Sequence, residues 1–183
     1  MKCSLRRWQM SDAQDLAHAL NNQTIHAIHD YLRDGLPFPY TVADAQAYIR
    51  SVEEAEFAFA ITVDDRAVGS IRAVRKENIH YRTAEIGYSI AQEYWGKGLM
   101  TQAVQQLCDY VFTTSTIVRI SAESFAKNHS SCRVLEKAGF TLEGVLRKHA
   151  EKNQQLFDMK LYALVRQEKE GQDDHNQKGE TYE

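Results

Sequence analysis

In the stretch EIGYSIAQEYWGKGLMTQAVQQLCDYVF, from Glu85 to Phe112, two glycines enclose a lysine between an apolar strand pattern and a helix pattern. That order makes an anion site. A helix N-terminus presents backbone N–H groups without acceptors and the positive end of the helix dipole, and glycines let an anion's oxygens approach that backbone closely. Gly96, Lys97 and Gly98 therefore suit a phosphate, the amides orienting it and the lysine adding charge. The bland alternative is a tight strand-to-helix turn, which glycine serves equally well. Two familiar phosphate motifs are excluded. No Gly-Lys-Ser/Thr follows a four-residue spacer, and Thr101 stands where the third glycine of the dinucleotide pattern belongs, so neither ATP nor NAD is favoured. A second reactive group is Glu85, between Ala84 and Ile86 in an otherwise apolar strand. Burial favours the neutral carboxyl and suits it to accept protons, the alternative being a buried ion pair with an arginine such as Arg72 or Arg82. His26 and His29 are three apart but have no carboxylate or cysteine at metal-ligand spacing, so no metal is expected; they are read as lining a pocket or as surface residues.

The elements that must carry these groups follow from hydrophobic periodicity. CSLRRW is a short strand, and Ser11 caps a helix through DAQDLAHALNN that buries Leu16, Ala19 and Leu20. GLPFPY is an extended loop, because two prolines two apart break any pattern. Thr41 caps a second helix, VADAQAYIRSVEEA, with Asp44 in its first turn and Val42, Ala45, Tyr48, Ile49 and Val52 on one stripe. FAFAITV and AVGSIRAV form an antiparallel hairpin turned by Asp64 and Asp65. TAEIGYSI is the strand that enters the glycine turn, and the helix beyond it runs from about Leu99 to Phe112. VRISAESF is the next strand; Asn128 then starts a helix that stops at Gly139, just past Lys137. Strands around FTLEGVLR and LFDMKLYALV complete a single domain over 1–166, and 167–183, almost wholly polar, is read as a mobile tail.

Composition excludes several classes. The chain is 43% hydrophobic and 26% charged, the balance of an ordinary soluble domain. A formal charge of -3 argues against capture of nucleic acid, which needs a strongly basic face. Cys3, Cys108 and Cys132 are far apart and contain no CxxC pair, so neither a disulfide framework nor a zinc site is expected, and the latter two are read as small core residues. There is no apolar run of signal-peptide or membrane-span length, hence an expectation of a cytoplasmic protein with no membrane partner.

From Thr83 to Leu164 the chain resembles the GNAT superfamily of N-acetyltransferases, most closely the RimJ and RimL branch of ribosomal-protein alanine acetyltransferases. The resemblance rests on AEIGYSIAQEYWGKGLMTQA, NHSSCRVLEKAGFTLEGVLR and DMKLYAL, in the order and at the spacings of that branch. It implies an α/β (α+β) domain with a mixed, largely antiparallel central sheet, flanking helices and strands splayed at an acetyl-CoA site. It further implies that the amides of Gly96, Lys97, Gly98, Leu99, Met100 and Thr101 hold the pyrophosphate of acetyl-CoA. Tyr88, Ser89 and Ile90 would flank the pantetheine, and Asn128 would both cap its helix and touch CoA. LPFPYTVADAQAYI is similar to the segment these enzymes place over the acceptor, where Phe38 and Tyr40 would form a wall while Tyr48 is read as packing. Two positions depart from the general pattern around Gly98: Trp95, which is common in this branch, and Met100. The bulk of Met100 is expected to narrow the cradle or shift the start of the helix.

The implied reaction sets requirements of its own. An alkyl ammonium, like that of lysine at a pKa near ~10.4, must lose a proton before it can attack a thioester. Glu85 stands at a position where several members of the superfamily carry a general base acting through water. Backbone N–H groups of the splayed strand would stabilise the oxyanion. Expulsion of a thiol of pKa ~8.5 then needs little help. The tyrosine that often gives this help is replaced by Leu135, and the resemblance transfers the role to Ser131, whose other reading is simple helix-start chemistry beside Asn128. A glutamate proposed as base later in this branch falls at Ala150, with Glu151 one residue on. The acceptor is a primary amine, most simply a protein N-terminus; a polyamine, amino sugar or antibiotic is the alternative within this class, and a non-catalytic CoA-binding module the alternative outside it. A homodimer is left open as the assembly.

Overall fold

The computed structural model describes residues 1–21 and 36–167. His26, His29 and nearly all of the expected tail lie outside the described residues. Among those described, seven strands form one sheet: β1 (Ser4–Arg6), β2 (Phe57–Val63), β3 (Arg66–Arg75), β4 (Thr83–Ile90), β5 (Arg119–Phe125), β6 (Thr141–Lys152) and β7 (Gln155–Val165). Their order is β1-β2-β3-β4-β5-β7-β6. Every pairing is antiparallel except that of β4 with β5. The fold is thus the mixed, largely antiparallel sheet expected. The hairpin between β2 and β3 closes through Asp64 and Asp65, both in the left-handed conformation at φ 48 and 62, which short acidic side chains tolerate.

The two faces of the sheet bury different helices. Helix α3 (Leu99–Thr114) and helix α4 (His129–Lys137) cover one face, where Leu107, Val111 and Leu135 pack with Ile71, Ile86 and Ile120. Helix α1 (Ala13–Asn21) and helix α2 (Val42–Ser51) build a second, smaller cluster from Leu16, Leu20, Tyr40, Ala45 and Ile49, and Tyr48 ties it to β3 by a 2.9 Å hydrogen bond to Ser70 Oγ. All three cysteines are buried and free, with Cys108 and Cys132 in the main core.

Several sequence-based boundaries shift, each for a local reason. Ser11 does not cap α1. A short 3₁₀ turn, Met10–Asp12, precedes the helix, and the Asp12 carboxylate accepts the Gln9 N–H at 2.9 Å while gripping the Arg6 guanidinium at 2.7 and 2.8 Å. Val42 is exposed, because the first turn of α2 extends past the cluster, whereas Thr41 caps as expected by accepting the Asp44 N–H. Helix α3 continues to Thr114, and β6 continues to Lys152 because it pairs back on β7 through an irregular stretch.

The feature that shapes the site is a fork. β4 and β5 pair only from Thr83–Arg119 to Glu85–Ser121, after which β4 runs on to Ile90 and β5 to Phe125 without further pairing. Beyond Glu85 and Ser121 the facing edges of the two strands are open.

Candidate active site

The glycine turn lies at the wide end of the fork. Gly96 and Gly98 adopt φ +71 and +74, and a Cβ at either would meet nothing within 4 Å, so the backbone faces open space. The first hydrogen bond of α3 runs from Gln102 N–H to Gly98 O at 3.2 Å, which leaves the preceding amides of the turn without intrahelical acceptors. Trp95 fixes the approach by donating its indole N–H to Ile90 O at 2.9 Å. Met100 is buried in the core while also lining the cleft, and α3 begins at Leu99, the start expected from the sequence. Lys97 behaves differently from expectation: its ammonium sits 5.3 Å above the Tyr94 ring and the residue does not line the cleft.

The cleft itself is a cavity of about 1840 Å³ running from this turn along the fork to the face under α1 and α2. Of the residues singled out from sequence, Glu85, Tyr88, Ser89, Ile90, Gly96, Gly98, Leu99, Met100, Thr101, Asn128 and Ser131 all line it. Asn128 Oδ1 accepts the Ser131 N–H at 3.1 Å, so the helix-start chemistry is present. The same Ser131 also faces the fork, where its hydroxyl lies 2.9 Å from the Tyr88 phenol. Burial drives the Tyr88 pKa up to about 12, against a smaller opposing effect of the Ser131 hydrogen bond. The phenol is therefore a proton carrier at any neutral pH. Leu135 is packed in the main core and also lines the cleft.

On the opposite face of β4, the side chains alternate to Glu85, Gly87 and Ser89, beside Ser70, Arg72 and Val74 of β3. Glu85 is 24% exposed at its side chain, and its Oε2 lies 3.4 Å from Lys76 Nζ. The cation found beside it is thus a lysine at the end of β3, while the Arg82 Nε donates to Thr116 O. Arg72 lines the cleft on the same face as Glu85. Tyr40 and Tyr48 line this end of the cleft, Tyr48 also packing edge-on against Trp8, whereas Phe38 is exposed and does not line it.

Three residues here escaped sequence reasoning. Lys76 stands two residues after Val74, which puts it on the Glu85 face. Glu123 and His149 also line the cleft, with Nε2 and Oε2 3.8 Å apart. The alternation Ser121, Glu123 along β5 was the available signal for the glutamate; none existed for the histidine, whose direction is set by an irregularity in β6. Among the described residues no three His, Cys, Asp or Glu side chains are grouped to hold a metal ion, and no helix is long and apolar enough to cross a membrane.

Comparison with known proteins places this geometry. The chain is 35% identical over 124 residues, 68% of each chain, to the "Probable N-acetyltransferase YjcK" of Bacillus subtilis (strain 168). It is 32% identical over 107 residues to the ribosomal-protein-serine acetyltransferase of Escherichia coli (strain K12), covering 58% of this chain and 59% of that one. To the spermidine N(1)-acetyltransferase of the same strain it is 31% identical over 94 residues, 51% and 50% of the two chains. The solved structure of Mycobacterium smegmatis RimJ in complex with CoA-disulfide superimposes with a TM-score of 0.75 at 25% identity, over 89% of this chain and 81% of that one. Residues 3–141 match the acetyltransferase (GNAT) domain model, and the chain, with its forked sheet and open glycine turn, belongs to the GNAT family of N-acetyltransferases.

Proposed function

We propose that the protein transfers the acetyl group of acetyl-CoA to the amino group of a protein N-terminus. The observation that carries this reading is the single cleft in which the open glycine turn, the fork and the Glu85 face are continuous. The residues fit CoA. Amides at Leu99–Thr101 without intrahelical acceptors suit a pyrophosphate, and the open edges of β4 and β5 suit an extended chain of amide groups such as pantetheine. Acetyl-CoA supplies an activated acyl group on a thiol that leaves readily. Gly96, Gly98, Leu99, Met100 and Thr101 would hold its phosphates, and Tyr88, Ser89, Ile90 and Asn128 its pantetheine. Lys97, turned onto Tyr94, would contribute only long-range charge.

Glu85, through water, takes the proton that the attacking amine must lose, and Lys76 keeps the carboxylate oriented at the narrow end of the fork. Ser131, with the Tyr88 phenol behind it, returns a proton to the leaving thiolate. A peptide is favoured over a polyamine because the acceptor end is electrostatically mixed: Arg72 and Lys76 stand beside Glu85, where a polycation would need carboxylates alone.

Thiol release from acetyl-CoA, measured with peptides bearing N-terminal alanine or serine and with spermidine, tests the reading. Turnover on the peptides is expected, together with a fall in kcat of about 10²-fold or more in Glu85→Gln while the Kd for acetyl-CoA changes less than about twofold. Turnover on spermidine alone would move the acceptor to small amines. A Glu85→Gln enzyme with unchanged kcat would remove Glu85 from the chemistry.

A further inference from the structure

Strand β6 contains an irregularity that aims one side chain at the cleft. Leu146 pairs with Met159 and Ala150 with Phe157, so Arg147, Lys148 and His149 together stand against Asp158 alone. Lys148 takes the left-handed conformation at φ 52, and its N–H donates to Asp158 Oδ1 at 2.7 Å. A left-handed lysine costs about 1–2 kcal/mol relative to regular strand backbone. The bulge nonetheless lets His149 reach across β7, two strand spacings or roughly 9.6 Å, to bring Nε2 within 3.8 Å of Glu123 Oε2 on β5. The side chains are 51% and 30% exposed, and so open an ion pair adds little stability. Strain at the backbone with little stability in return is the signature of a bulge that re-aims a side chain for function.

The position of the pair is equally specific. Ser121 is the last residue of β5 that pairs with β4, and Glu123, two residues on, has its side chain on the same face as Glu85. Glu123 and His149 therefore stand on one arm of the fork and Glu85 on the other, all lining the same cleft. Resting on the acetyl-transfer reading above, we propose that His149, backed by Glu123, is a second proton acceptor for the amine, working across the fork from Glu85.

The reaction has two protons to place. An ammonium R–NH3+ and an acetyl thioester give R–NH–CO–CH3, a thiol and one free proton: the C–N bond forms, the C–S bond breaks, one nitrogen proton ends on sulfur and the other leaves to solvent. His149 Nε2 takes the proton that frees the amine lone pair, Glu123 stabilising the resulting imidazolium before it discharges to water, and Glu85, through water, takes the second nitrogen proton as the C–N bond forms, matched by the one that Ser131 gives to sulfur. The charged groups sharing its surroundings are Glu123, Glu151 and Lys152 on its side of the cleft, Asp158 on β7, engaged by the Lys148 N–H, and Glu85, Lys76 and Arg72 across it.

The test uses the full chain and the peptides and spermidine named above, with kcat/KM measured from pH 5 to 9 for wild type, His149→Gln and Glu123→Gln, and acetyl-CoA affinity measured alongside. In His149→Gln, kcat/KM is expected to fall at least tenfold, with loss of the acid limb that an imidazole gives between about pH 5 and 8. In Glu123→Gln the limb should survive while kcat/KM falls less than in His149→Gln, because the imidazole stays but has lost the carboxylate that backs it. Acetyl-CoA affinity should hold within twofold in both, which reports intact folding. A His149→Gln enzyme that keeps its pH profile, whether fully active or with only KM raised, overturns the proposal and leaves acetyl transfer standing. A wild type that turns over none of the acceptors, while still binding acetyl-CoA, refutes acetyl transfer to these acceptors and the proposal with it.

Discussion

Tyr88 shows how much a single residue's chemistry depends on its neighbours across the sheet. The period of β4 places its side chain on the same face as Ile86 and Ile90, toward α4, and that much follows from the alternation TAEIGYSI. Its 2.9 Å contact with Ser131 does not follow, because it depends on where α4 docks over the fork, a contact between residues 43 apart in the chain. The result is a partly buried phenol behind the serine. With its pKa driven up to about 12 by burial, Tyr88 stays protonated throughout the working pH range and can reload Ser131. We expect Tyr88→Phe and Ser131→Ala each to lower kcat by about tenfold, a modest effect because a thiol is already a good leaving group. If the two act as one chain, the double variant should be no slower than the worse single variant; losses that multiply, read from steady-state kcat at saturating acetyl-CoA, would show independent functions.

Elements were most legible where the chemistry was local. Strand β4 was read to the residue, as was the Thr41 cap of α2, since each follows from neighbouring side chains alone. The second half of β6 was not read, because its bulge is held by Asp158 of the next strand. The glycines divide along the same line. Gly98 announced itself at a strand-to-helix turn, and its φ of +74 with open space around it predicts that Gly98→Ala loses about 1 kcal/mol to left-handed strain, without a clash. Gly69 gave no such signal within the plain strand AVGSIRAV, yet a Cβ there would meet Ser89 O, a backbone atom, at 2.4 Å. Since β4 cannot move aside without disturbing the fork, Gly69→Ala should lose more, about 2–3 kcal/mol. Urea denaturation of the two variants checks the order, and a Gly69→Ala protein as stable as Gly98→Ala would mean that β3 and β4 can slide apart freely.

At the scale of the whole molecule, hairpins and helices came from pattern, but the parallel step from β4 to β5 that creates the fork was reached only through the family resemblance, since no local signal marks where a parallel pairing stops. The packing of α1 and α2 against the far face was equally hidden, and one clamp does much to hold it. Arg6 of β1 grips Asp12, at the entry to α1, through two hydrogen bonds, with the two side chains 27% and 6% exposed. Burial by itself would raise the Asp12 pKa, but the Arg6 guanidinium and the Gln9 N–H outweigh it and hold the carboxyl below its ordinary value. A lowered folded-state pKa means stability that is present above the ordinary carboxylate range and is lost as pH falls through the folded value. Asp12→Asn, which removes the charge and turns a donor toward Arg6, should therefore lower stability at pH 7 by about 2 kcal/mol. That deficit should shrink as pH drops below about 4, the ordinary range for aspartate, until wild type and variant converge. Denaturation midpoints taken from pH 7 to pH 2 would decide it: a deficit that stays constant across the range would assign the loss to packing and leave the carboxylate's charge without part in docking α1.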